Sequence, residues 1–150
     1  MQYDAKQIAN VFIHRAAEHG KVLSIMQLLK LIYIAHGWNL ALYGRPLIHN
    51  RIEAWQHGPV IPDVYHAFRG QGVHIQNKVD VPAQGLDPQT DNILEQIYNM
   101  YGEMSPFKLS DITHVSGGPW HVASKNGNYA HIPDYIIKAH YDEKRQKSAS

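Results

Sequence analysis

The chain has 150 residues, 44% hydrophobic and 18% charged, the size of one domain that buries its own core. A formal charge of +1 and a pI near 8.0 exclude the strong basic excess of a protein built mainly to neutralise phosphates, so nucleic acid is not the default partner. The absence of cysteine excludes disulfides, thiolate catalysis and thiolate metal sites together.

The opening stretch MQYDAKQIANVF lacks the basic-then-apolar layout of a secretory signal, which points to a cytoplasmic protein. Asp4 caps a first helix in which Ala5, Ile8, Ala9, Phe12 and Ala16 share one face, and Gly20 ends it. Ser24 and Gln27 have capping-box spacing, which starts a second helix at Ile25. Leu28, Leu29, Leu31, Ile32, Ile34, Ala35, Trp38 and Leu42 occupy most of that helix's circumference, so other elements must surround it. Lys30, His36, Asn39 and Arg45 interrupt the apolar run and argue against a membrane span.

Gly44 and Pro46 stop the helix, and the pieces 47–49 and 53–57 can pair as a hairpin across Asn50 and Arg51. After a turn at Gly58 and Pro59, Pro62 and Asp63 open a third helix that carries Val64, Tyr65 and Phe68 to Gly70. The stretch from there to Gly85 reads as an irregular connection or a weak strand pair. Asp87 and Pro88 start a fourth helix with Ile93, Leu94, Ile97, Tyr98 and Tyr101 on its buried face. Ser105 and Pro106 repeat the signal for a shorter helix to His114, which the turn 116–119 ends. A last helix begins near Pro133 with Tyr135, Ile136, Ala139 and His140 inward, and frays into DEKRQKSAS. The expected fold is mainly α: a single compact helical domain over 1–142, with a central buried helix and a small β-hairpin insert, and a disordered tail at 143–150.

Eleven histidines invite a metal site, yet no two stand two, three or four positions apart. What remains is a pair of Asp-x-x-His units, Asp63/His66 and Asp111/His114, without glutamates in register among Glu18, Glu53 and Glu95. Helix-end electrostatics explains both pairs, so no metal is expected. The turn 116–119 lacks the lysine and the preceding strand of a phosphate loop. Ser116, His121 and Asp111 carry no nucleophile-elbow sequence, so no catalytic residue is assigned.

Aromatics are more telling. Trp38 reads as core, whereas Trp55 and Trp120, with Tyr33, Tyr43, Tyr65 and Tyr129, stand beside glycines and prolines, where such rings serve either as locks on irregular backbone or as contact anchors. Arg45, Arg51, Arg69 and Lys78 are scattered near the same region and suit a polar rim.

The run LLKLIYIAHGWNLALYGRPLI, then RIEAWQHGPVIPDVYHAFRGQG and later LSDITHVSGGPWHVA, resembles the Panacea domain, the family of SocA-like antitoxins and GepA-type phage-associated proteins. The likeness spans about 25–137. Its most specific parts are Tyr33/Ala35/His36, Gly44-Arg45-Pro46-Leu47, the EAW-x-x-GPV block from Glu53 to Val60, and Thr113-His114 ahead of Gly118-Pro119-Trp120.

The resemblance implies a non-catalytic antitoxin of a toxin-antitoxin or phage-defence system. Such a protein binds no cofactor and neutralises a toxin from a neighbouring gene by direct contact, in one branch also delivering it to a cytosolic protease. Nothing in the sequence adds a DNA-binding domain, so promoter autoregulation is not expected. The expected contact set is Trp55, His57, Tyr65, Arg69, Trp120 and His121, an apolar centre bordered by Arg45, Arg69 and His57. The alternatives are a nucleic-acid-associated regulatory module and a small metal-binding protein.

Overall fold

The structure, a computed structural model, describes residues 2–82 and 84–149. Helix α1 (Ala5–Glu18) begins where the Asp4 carboxylate accepts from the Lys6 amide, 2.9 Å. A two-residue strand β1 (Leu23–Ser24) leads directly into α2 (Ile25–Tyr43). There the Ser24 hydroxyl accepts from the Gln27 amide and the Gln27 side chain accepts from the Ser24 amide, so the capping box is complete. Gly44, at φ 70°, closes the helix in the left-handed conformation.

Helix α2 is the centre of the core. Leu28, Leu29, Leu31, Ile32, Ile34 and Ala35 are fully buried, and so are two polar side chains, Lys30 and His36. Leu42 departs from the expected burial: it emerges at 40% exposure where the helix leaves the core. Trp38 is half-buried and packs edge-on to Tyr141, 5.3 Å between ring centres.

Strands β2 (Glu53–Trp55) and β3 (Gly58–Val60) form the hairpin, pairing Glu53 with Val60, Ala54 with Pro59 and Trp55 with Gly58. The hairpin therefore turns at Gln56 and His57, not at Asn50 and Arg51. Segment 47–49 pairs instead with Tyr3: the Tyr3 amide donates to Leu47 O, and the His49 amide to Tyr3 O. Asn50 is diverted to capping, its carbonyl accepting from the free Ala5 amide of α1 (2.7 Å) while its amide donates to Asp63 (2.8 Å). Pro59 fits inside a strand because residues flanking a two-residue turn form a hydrogen-bonded pair, which leaves the Ala54/Pro59 pair unbonded. The Ala54 carbonyl accordingly faces the other way and accepts from Tyr129.

Helix α3 (Pro62–Phe68) runs into a 3₁₀ turn at Arg69–Gln71. Strand β4 (His74–Ile75) then pairs antiparallel with β1. The connection beyond it is pinned to α1 by Asn10, which both donates to and accepts from Val79. Helix α4 (Pro88–Tyr101) starts where Asp87 accepts from the Thr90 amide, and buries Ile93, Leu94, Ile97 and Tyr98 as expected. Helix α5 (Pro106–Thr113) follows from its Ser105 cap.

The turn 116–119 does not simply end a helix: Pro119 is the first residue of α6 (Pro119–Ser124). A further strand, β5 (Ala130–His131), adds to β2 and completes a sheet ordered β3-β2-β5. Helix α7 (Asp134–Ala149) packs along α2. Its inward residues are Ile137 and Tyr141. Tyr135 is instead 74% exposed, Ala139 exposed, and Ile136 and His140 only half-buried.

The helix also continues through 143–149, where a disordered tail was expected; Ser150 lies outside the described residues. Pairs one turn apart, Lys138 with Asp142 and Lys147 with Glu143, support that continuation. No helix among the described residues is long and apolar enough to cross a membrane.

Candidate functional site

The hairpin, α3 and α6 bring their aromatic side chains to one corner. Trp55, at the end of β2, is its centre: Tyr65 from α3 and Tyr129 from the loop before β5 meet it edge-on, at 5.0 Å and 5.3 Å. The Trp55 indole N–H donates to Glu53 (2.9 Å), and the Trp120 indole N–H donates to the Trp55 carbonyl (2.6 Å). Trp120 in turn lies edge-on to His114, with ring centres 4.2 Å apart. Edge-to-face pairs of this kind add roughly 0.5–1.5 kcal/mol each beyond their burial. The corner is therefore preformed. Trp55 and Trp120 are half-buried and Tyr129 is 59% exposed.

The expected contact residues divide accordingly. Trp55, Tyr65 and Trp120 come together; His57 stands exposed in the hairpin turn, and Arg69 is exposed in the turn after α3. His121 is half-buried and bends back to its own loop, its Nδ1 accepting from the Gly117 amide at 2.7 Å. Arg45 does not border the corner: its guanidinium donates to Gln89 in the first turn of α4. Two residues were not in the expected set. Tyr129 needs φ of 64°, rare outside glycine, which turns its ring onto Trp55.

The other is Lys30. Its side chain is fully buried, and among the described residues its ammonium has no hydrogen-bond partner. It reaches up from α2 to the underside of Gly58, where a Cβ would lie 3.0 Å from Nζ and 3.3 Å from His114 Cε1. Gly58, at φ 122°, thus serves both the turn and the space beneath it. Burial pushes the Lys30 amine down to about 8. A single lysine among apolar residues on every side was the available sequence signal, and it counted there only as an interruption of the apolar run.

His114 has Ser110 Oγ at 2.8 Å from Nδ1 and the Gln56 carbonyl 3.4 Å from Nε2, and among the described residues no carboxylate pairs with its ring. Asp63 is held by Asn50, and His66 lies edge-on to Tyr65. Among the described residues no three of His, Asp and Glu come close enough together to hold a metal ion. What the arrangement offers chemically is a rigid aromatic surface over a buried positive charge.

A family model described as antitoxin SocA-like, Panacea domain, matches residues 28–121. The chain is also similar to Antitoxin SocA of Caulobacter vibrioides, 35% identical over 152 aligned residues that cover 90% of this chain and 80% of that protein. No solved structure matches.

Proposed function

The chain belongs to the SocA-like antitoxin family of Panacea domains, and from that premise we propose that it is an antitoxin that neutralises a toxin encoded beside it by covering the toxin's working surface. The family match carries this reading, because the matched segment contains Trp55, Tyr65, Trp120 and the hairpin between them. Rigid, half-buried Trp and Tyr side chains supply large contact area at little entropic cost, the usual make-up of binding hot spots. The action is stoichiometric and non-catalytic. Delivery of the bound toxin to a cytosolic protease is a further step of the same reading.

The test expresses the neighbouring open reading frame from an inducible promoter, with and without this chain. Growth arrest that this chain relieves supports the reading; arrest that it does not relieve removes it. Within that assay Trp55→Ala is expected to lose rescue, with binding weakened by at least about 2 kcal/mol, roughly thirtyfold, while far-UV helicity stays. Trp120→Ala breaks the bond to the Trp55 carbonyl and Trp55→Ala the bond to Glu53, so each variant is read together with its melting temperature. Loss of rescue in step with loss of melting temperature would make Trp55 a structural lock. Protease delivery predicts a shorter toxin half-life when the antitoxin is present, and an unchanged half-life rejects that step.

A further inference from the structure

The corner buries one positive charge that no hydrogen-bond acceptor among the described residues meets, while Asp63 of α3 and Asp111 of α5 stand exposed on its flanking helices. Lys30 is buried without an acceptor, one backbone thickness below Gly58 and beside the His114 ring. Above it the turn residues Gln56 and His57 are exposed, and Arg69 stands exposed at the end of α3. The acid of β2, Glu53, is already engaged: one carboxylate oxygen accepts from Arg51 at 2.7 Å and the other from the Trp55 indole at 2.9 Å. A charge held in low dielectric is screened less than one in water, so its field reaches the surface just above it. Burial alone accounts for the depressed affinity of the Lys30 amine for its proton, with no carboxylate offsetting it.

We propose that the toxin segment received by this corner is acidic, an apolar residue seated among Trp55, Tyr65 and Trp120 and a carboxylate lying over the Gly58 turn, facing Lys30 and His114. This rests on the reading of the corner as the toxin-binding face and names the chemistry of its occupant. The aromatic rings provide the contact area and Lys30 provides the sign discrimination: a basic segment of the same shape is repelled by a charge that cannot swing away. Gly58 leaves room for Lys30 and His114 directly beneath the turn, since a Cβ there would crowd both.

The experiment titrates the purified product of the neighbouring gene into this chain by calorimetry at about 50 mM and about 300 mM NaCl. Wild type is compared with Lys30→Met, which keeps the length and apolar stem of the side chain and removes the charge. The expected result is a folded variant that binds roughly tenfold more weakly at both salt concentrations, since salt screens a buried charge little. Wild-type affinity in the folded variant would overturn the acidic occupant and leave toxin binding standing. No binding by the wild type would remove toxin binding itself, and this inference with it.

Should Lys30→Met fail to fold, the wild type still decides by the NMR signal of the Lys30 Cε–Hε group near pH 8, the region where the free amine titrates. His114 is the titratable neighbour that must be followed in the same spectra. A bound carboxylate shifts the Lys30 titration upward between the free protein and the complex; an unchanged titration overturns the proposal.

Discussion

At the scale of single residues, Lys30 makes a stability prediction independent of any partner. Its amine titrates near the ordinary 10.5 in the unfolded chain and near 8 in the fold. Below pH 8 both states hold the proton and the fold carries the full penalty of a buried charge. Between pH 8 and 10 the unfolded chain binds more proton than the native one, so stability rises with pH. The total at stake is roughly 3 kcal/mol. Tyr33 and Tyr141, whose hydroxyls burial pushes up, act oppositely above pH 10, because there the unfolded chain loses protons that the native one keeps. Chemical denaturation from pH 7 to 10 should therefore show increasing stability in the wild type. Lys30→Met should lose most of that rise, keeping only the part due to Lys144, whose amine burial also lowers, and at pH 7 should melt roughly 5 °C or more higher. A flat wild-type curve would mean that the amine is solvated.

His36 shows the opposite way to bury a polar side chain. Its Nδ1 faces the amides of Leu47 and Ile48 at 3.3 Å and 3.4 Å, so that nitrogen is the acceptor, and Nε2 carries the proton it donates to Asp134 at 2.8 Å. One neutral ring thus ties α2 to the segment after it and to the first turn of α7.

At the scale of elements, the contact between α2 and α7 depends on Gly37. A Cβ there would overlap the Tyr141 ring, which is itself fully buried and cannot retreat. An alanine in a helix interior normally gains about 1 kcal/mol over glycine, whereas overpacking of a tight core costs about 1–3 kcal/mol. Gly37→Ala should accordingly lower stability by roughly 1–2 kcal/mol in a denaturant titration; any gain would show that α7 can slide along α2.

Four helix starts were legible because each is a local hydrogen-bonding event: Asp4, Ser24, Asp87 and Ser105 all accept from an amide two or three residues on, whereas α6, which has no side-chain cap, was read as a turn. The strands were less so. Two- and three-residue strands have no periodicity to read, and the hairpin register depends on Asn50 being recruited by the distant Ala5 amide. The inward face of α7 was misplaced by one residue, because Tyr135, Ile136, Ile137, Ala139 and Tyr141 allow several apolar stripes and only the Gly37 gap selects Tyr141. Of the corner, Trp55, Tyr65 and Trp120 were legible from their irregular flanks. Tyr129 stood out on the same ground but was left out of the contact set, since its left-handed backbone belongs to the folded chain, and Lys30 was not legible, since its burial does too.

At the scale of the whole molecule, the packing marks where the domain can be cut. Residues 143–148 are mostly exposed and are held to the domain by a donation from Arg145 to Ala41 O and by Lys144 over the Tyr141 ring, with one ion pair, Lys147 to Glu143, inside the segment. A chain ending at Asp142 should therefore fold and melt with a loss of about 1–2 kcal/mol, and should still rescue cells from the neighbouring gene product. A chain ending at Ile132 should not fold, since it lacks Ile137 and Tyr141. Circular dichroism melts of the two truncations check both statements.

Pro59 bears on how this fold can meet other chains at all. The sheet ends on one side at β3, and a proline offers no amide to a visiting backbone there; the opposite margin, β5, is only two residues long. Neither border can template an incoming peptide in the manner of β-augmentation, nor zip two copies together edge to edge. A guest is therefore read through side chains, and a crowded population of this protein has little opportunity to polymerise along its sheet.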